Sequence, residues 1–195
     1  MVVGNLPFGN FKVYDKEYDA LYKKGFSIHE YFLAKCIDKV HPGGIVAIVL
    51  STYFMDSING TKRKYVADRA ELLGAVRLSN TTFPETQTSA DILFLKKRKE
   101  IIDSDAEFIC TSRIGKNIEK NNKFDASIYR RFYTATEFDS YFRSEVAVIN
   151  DYYLLHPEHL AGNIIRVRSG RFGKGLSFIG ANNLNIEETV PANAY

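Results

Sequence analysis

The spacing of apolar residues changes several times along the chain, and each change marks an element. Val2-Val3-Gly4 reads as the end of an apolar strand running into the turn Asn5-Leu6-Pro7-Phe8-Gly9. Strands of parallel sheets usually have about 5 to 6 residues, so this is either a very short strand or the end of an element whose earlier part lies elsewhere. A polar, tyrosine-rich stretch follows from Asn10 to Gly25. Ser27-Ile28-His29-Glu30 then matches a capping box, in which a serine oxygen and a glutamate three residues on satisfy the free amides of a helix start. The apolar positions Ile28, Tyr31, Phe32, Leu33, Cys36, Ile37 and Val40 keep the three-and-four spacing that lays one stripe against a core, and Pro42-Gly43-Gly44 ends the helix.

Ile45-Val46-Ala47-Ile48-Val49-Leu50 shows no polar alternation, which predicts a strand covered on both faces, as in a parallel α/β sheet. A basic helix is predicted over Thr61 to Leu73, stopped by Gly74, with a short strand at Ala75 to Leu78. After a threonine-rich connection, Ala90 to Leu95 gives one more strand, closed by Lys96-Lys97-Arg98-Lys99, so the sheet should finish as a hairpin-like pair. Beyond residue 100 the signal weakens. Thr111 to Phe124 is a polar excursion, and Ile164 to Val167 and Leu176 to Ile179 flank a glycine-rich turn, which predicts a β-hairpin. The expected architecture is α/β, a sheet domain over residues 1–100 followed by a mixed α+β extension over 101–195.

The length of 195 residues with 45% apolar content fits one globular domain with an appendage and is too short for two full domains. A formal charge of +3 permits a polyanionic partner without requiring one. Two cysteines, Cys36 and Cys110, form neither a disulfide framework nor a cysteine-rich zinc site, and no apolar run is long enough to span a bilayer. A reducing, cytoplasmic setting is expected, with no membrane partner.

Asn5-Leu6-Pro7-Phe8, directly after an apolar strand, resembles the catalytic Asn/Asp-Pro-Pro-Tyr/Phe tetrapeptide of S-adenosylmethionine-dependent amino-group methyltransferases, especially the N6-adenine DNA methylases. Further segments carry the resemblance along most of the chain. They are Gly4 to Asn10, the helix leading into Pro42-Gly43-Gly44-Ile45, Arg77 to Phe83, Ala90 to Arg98, and Tyr153 to His156-Pro157-Glu158. Together they look like the catalytic half of the large methylase-helicase proteins of bacterial mobile elements. The resemblance implies part of a Rossmann-like methyltransferase sheet, S-adenosylmethionine as cofactor, DNA as partner, and methyl transfer to adenine N6.

The chemistry of such a tetrapeptide follows from the acceptor. The exocyclic amine of adenine is a poor nucleophile because its lone pair is delocalised into the ring. Two fixed acceptors aimed at its N–H groups favour the pyramidal form in which the lone pair is free, and preorganised acceptors act before charge develops. The Asn5 side-chain oxygen and the Leu6 carbonyl fill that role, and Phe8 offers a face on which a flipped base stacks; Pro7 completes the motif. Leu6 departs from the family pattern, where proline is common. A main-chain carbonyl survives that change, but the ring's rigidity and its restriction on Asn5 are lost.

A methylase of this type also needs a glycine-rich turn after a first strand and an acid ending a second, to hold the cofactor; in this group both usually precede the tetrapeptide. Ser169 to Gly175 resembles such a turn only superficially, because neither a helix nor an acid-tipped strand follows it. The expectation is therefore a truncated or split enzyme that self-associates or needs a partner carrying the cofactor half, since an uncovered sheet edge invites pairing. The competing reading is a non-catalytic DNA-binding or assembly module derived from such a methylase. A third keeps the enzyme but changes the acceptor to a glutamine amide or an RNA base.

The remaining candidates have two readings each. Lys62, Arg63, Lys64, Lys96 to Lys99, Arg166, Arg168, Arg171 and Lys174 are either phosphate contacts or a solvated surface; Lys62, Arg63, Lys64, Arg171 and Lys174 are the DNA-binding candidates. Tyr14, Tyr18, Tyr22 and Tyr31 stack on bases or, more commonly at such spacing, pack. His156-Pro157-Glu158-His159 has two histidines three apart; with no cysteines and no nearby third ligand it reads as a turn or helix start, and no metal site is expected.

Overall fold

The computed structural model describes residues 1–7, 9, 13–23, 25–80, 82–83, 89–114, 147–161, 164–170 and 173–179, the last two stretches as backbone alone. Four strands form the main sheet: β1 (Val2–Asn5), β2 (Ile45–Ser51), β3 (Ala70–Arg77) and β4 (Ala90–Lys97). Their order is β1-β2-β4-β3. β1 runs parallel to β2, whereas β4 lies antiparallel to both β2 and β3. The chain is therefore α/β, and its sheet is mixed where the apolar run of β2 suggested a parallel one.

Burial along β2 alternates. Val46, Ile48 and Leu50 are sealed, while Ile45, Ala47 and Val49 are half-buried. After the short α1 (Asp19–Lys23), the helices α2 (Ile28–Lys39), α3 (Tyr53–Asp56) and α4 (Thr61–Arg69) pack against the sealed face through Leu33, Ile37, Phe54, Met55, Val66 and Ala67. Among the described residues, the opposite face is covered near β3, where Val76, Leu78, Ala90 and Ala161 cluster with Phe83. Toward β1 no described residue covers it, and Val3 stands 67% exposed. An unbroken apolar run thus does not mean equal cover on both faces here.

α2 begins where its capping box predicts, with the Ser27 N–H donating to Glu30 Oε2 at 2.7 Å. α4 ends four residues earlier than the apolar pattern predicts. Its last carbonyls are satisfied from far along the chain: the Arg98 N–H donates to Arg69 O, its Nε to Ala67 O, and the Ile102 N–H to Asp68 O. Capped in this way, the chain turns extended at Ala70, and Leu72, Leu73 and Gly74 join β3, with an irregularity in register between Leu72 and Gly74. Gly74 is a bulge position, not a helix stop. Lys97 closes α2 similarly, its Nζ donating to the carbonyls of Asp38 and Val40 at 2.7 and 2.8 Å.

The core does not stop at residue 100. β5 (Thr111–Ile114) pairs antiparallel with β6 (Ala147–Asn150), which leads into α5 (Asp151–Leu155). Ile149, Tyr152, Tyr153 and Leu154 lie in the same apolar cluster as α2 and β2. Leu160 then bridges Arg77 at the outer edge of β3. The predicted hairpin is present as β7 (Ile164–Gly170) and β8 (Gly173–Ile179), antiparallel, with Gly170 opposite Gly173. Ser169, Gly170, Gly173, Lys174 and Gly175 are therefore hairpin residues, with no helix following the glycines among the described residues. Arg171 lies outside the described residues.

Candidate functional site

β1 ends at the turn of interest. Asn5 is the register partner of Val49, and the Leu6 N–H continues the ladder by donating to Val49 O at 2.9 Å. The Leu6 side chain is buried among the residues of the main core. A proline at position 6 has no N–H and would forgo this bond. Leucine replaces ring rigidity with a ladder hydrogen bond and an apolar anchor, which holds the peptide following Asn5 in place.

Asn5 itself is exposed, and its carboxamide has no hydrogen-bond partner among the described residues. Pro7 is exposed, and Phe8 lies outside the described residues. The turn stands at the carboxyl end of two parallel strands, where open α/β sheets place their ligands. At that end β2 runs through Ser51 and Thr52 into α3, and Tyr53 is 51% exposed. Tyr53 is an aromatic the sequence reading missed; its position two residues past an apolar strand is the signal that could have found it.

Behind this end of the sheet lies a buried ionic cluster. Arg77 on β3 donates through Nε and Nη2 to both oxygens of Asp91 at 2.8 Å, and through Nη1 and Nη2 to Asp56 at 2.7 and 3.0 Å. Its guanidinium also lies 4.4 Å from the Tyr153 ring centre. The Asn150 N–H donates to Asp56, and its side chain spans from Met55 O to Phe108 O at 2.7 and 2.9 Å while its Oδ1 caps α5. These contacts tie α3, just after the strand end, to β3, β4 and β6. Arg77 and Asp91, both in segments that carry the family resemblance, are scaffold groups.

Burial pushes the Asp56 carboxyl up to about 6, against the lowering pull of Arg77 and with the neighbouring Asp91 adding to the rise. The folded protein holds that proton more tightly than the unfolded chain, whose value is 3.8. This group's contribution to stability is therefore full below about pH 4 and falls as pH rises to about 6. Asp56→Asn, which keeps the shape and removes the charge, is expected to flatten that part of the stability profile. Urea unfolding at pH 4, 5, 6 and 7 checks this; an unchanged slope in the variant rejects the assignment.

The basic candidates divide. Arg63 is 1% exposed, and its guanidinium donates to the carbonyls of Phe54, Ser57 and Ile109 at 2.7 to 3.0 Å, so it is a buried brace and not a phosphate contact. Lys64 is engaged by Asp68 at 2.5 Å and by Asp103. Lys62 is half-buried with its ammonium 5.3 Å from the Phe26 ring centre. Of the later run, Lys97 and Arg98 close helices, and Lys96 and Lys99 are exposed. Lys174 is described by backbone alone. Tyr18 and Tyr31 pack edge to face at 6.0 Å, Tyr14 is exposed, and His156-Pro157-Glu158-His159 leads into a short 3-10 turn.

Residues 1–150 match the family model described as N-6 DNA Methylase. Over 99 residues the chain is 31% identical to the Defense against restriction protein B of Escherichia phage P1, a match covering 49% of this chain and 4% of that protein. The chain thus spans a small part of the length of that relative. A solved protein of Listeria monocytogenes, described as a class I S-adenosylmethionine-dependent methyltransferase, aligns with a TM-score of 0.40 at 22% identity, over 54% of this chain and 34% of that one. Among the described residues no helix is long and apolar enough to cross a membrane.

Proposed function

Since the chain belongs to the N-6 DNA methylase family, we propose that it carries the amine-holding half of a methyltransferase acting on adenine N6 in DNA. The observation behind this reading is the state of the strand-end turn: an exposed Asn5 carboxamide without a partner among the described residues, beside a Leu6 peptide held by Val49 and the core. The Asn5 oxygen and the Leu6 carbonyl accept the two N–H bonds of the extruded amine and favour its pyramidal form. Such acceptors stabilise the amine as it becomes cationic. The surplus proton then leaves to water, so no dedicated base is required. Phe8, and Tyr53 at the same strand end, supply aromatic surface for the base.

The residues described fit the acceptor and not the cofactor. β2 passes into α3 through Ser51 and Thr52, and the glycines of 170–175 belong to a hairpin, so neither forms a glycine turn from a strand into a helix. S-Adenosylmethionine, the methyl donor of this family, is thus assigned to a second, glycine-rich half. Among the described residues β1 pairs only with β2 and Val3 is exposed, which gives such a half an edge and a surface to join.

The test uses radiolabelled S-adenosylmethionine with duplex DNA, RNA and protein, for the chain alone and mixed with a polypeptide carrying the glycine-rich half. Calorimetry of cofactor binding runs alongside. Cofactor binding and label on DNA adenine, both only in the mixture, are expected. Label on RNA or on a glutamine amide assigns a different acceptor. Failure to bind cofactor or transfer label in every combination leaves a non-catalytic DNA-binding or assembly module.

A further inference from the structure

At the edge of the sheet opposite β1, the described residues gather a second set of chemical groups. The ligand atoms of His156, Glu158 and His159 lie within 4.8 Å of one another. A Glu158 carboxylate oxygen is 3.5 Å from His156 Nδ1 and 3.9 Å from His159 Nε2. Zinc bonded at about 2.0–2.1 Å to four tetrahedral donors sets those donors about 3.4 Å apart, so small side-chain rotations suffice to close this set on one ion.

The other nitrogen of each ring is already held. His156 Nε2 lies 2.9 Å from Glu107 Oε1, and His159 Nδ1 lies 2.7 Å from the Tyr152 hydroxyl. Histidines that bind metals almost always have their second nitrogen fixed by an outer partner, which orients the ring and selects the tautomer. The Tyr152 oxygen is anchored in turn, accepting the Ala75 N–H of β3 at 3.0 Å. The two imidazoles are nearly parallel, with centres 5.5 Å apart and planes 16° apart. Two oriented rings with a carboxylate between them form more of a site than two histidines in sequence. The short 3-10 turn Pro157–His159 supplies it by bringing Glu158 between them.

We propose that His156 Nδ1, a Glu158 carboxylate oxygen and His159 Nε2 bind one zinc ion, with water completing the coordination. Imidazole and carboxylate donors suit zinc, and three protein ligands plus a water is one of its established arrangements. The ion clamps the end of α5 to the 3-10 turn Glu107–Ile109 through Glu107, and to β3 through Tyr152. His156 and Glu158 lie in a segment that carries the resemblance, but the site does not rest on the proposed function, since none of its groups belongs to the strand-end turn.

Zinc titrated into the full chain against a chromophoric chelator is expected to bind at one equivalent and to raise the Tm. His156→Ala and Glu158→Gln should each weaken binding by at least about 10-fold, and Glu107→Ala, which removes only an outer partner, by about 10-fold. His41→Ala, at an exposed position elsewhere, should change nothing. Cobalt(II) in place of zinc should give visible bands of a four-coordinate site without thiolate charge transfer. Glu158 is 56% exposed, so its variant tests the site without disturbing the fold. No binding at micromolar zinc, or equal binding by wild type and the Glu158→Gln and His156→Ala variants, overturns the proposal.

Discussion

Asn5→Ala, assayed with the cofactor-binding half present, is expected to lower methyl transfer by about 100- to 1,000-fold, the usual cost of removing one preorganised stabilising contact. Affinity for S-adenosylmethionine should stay within about twofold, because the lost contact strengthens in the transition state and not on the cofactor. The side chain is exposed and unbonded among the described residues, so truncation leaves no buried group unsatisfied. Unfolding free energy should accordingly move by no more than about 0.5 kcal/mol. Asn5→Asp, which keeps an acceptor oxygen at the same reach, should retain more transfer than the alanine variant. Single-turnover methylation of duplex DNA reads all three proteins; full activity in Asn5→Ala removes the side chain from the mechanism.

Arg77→Leu should be the most damaging single substitution to stability, at about 3–5 kcal/mol, because it leaves two buried carboxylates without their common cation. Asp91 is fully buried and Asp56 nearly so. Their mutual repulsion is presently offset by one guanidinium that bonds all four carboxylate oxygens. Adding Asp56→Asn to Arg77→Leu should recover part of the loss by removing one of the stranded charges. Urea unfolding of the single and double variants measures this coupling. A single-variant loss below about 1 kcal/mol would show that the cluster does not carry the load assigned to it.

Those same residues show where the sequence was legible. α2 could be placed closely because both partners of its capping box lie within four residues, and the strand-end turn because an apolar stub and its tetrapeptide are contiguous. The end of α4 could not be placed, since its caps come from Arg98 and Ile102, about thirty residues further along. Read as a run, Lys62-Arg63-Lys64 suggests one basic patch, but neighbours on a helix point about 100° apart. Arg63, Val66 and Ala67 repeat at three and four, so the arginine shares the buried stripe; that spacing was available in the sequence and outweighs the local charge. The cover on β2 was not legible, because an apolar run does not say which neighbours arrive or on which side. The departure at Leu6 acquires a physical reason only once Val49 O and the core are seen around it.

The placement of β4 between β2 and β3 also has a temporal consequence. As the polypeptide leaves the ribosome, β2 and β3 emerge first, and each lacks its shared neighbour until residue 97 has followed. The Asn150 crosslink between Met55 and Phe108 waits for a further fifty residues. Contacts of such long sequence separation slow folding and leave strand edges open to wrong pairing in the interval. Nascent chains stalled before residue 97 should therefore be sensitive to protease and retained by chaperones, and release past residue 161 should bring protection in a single step.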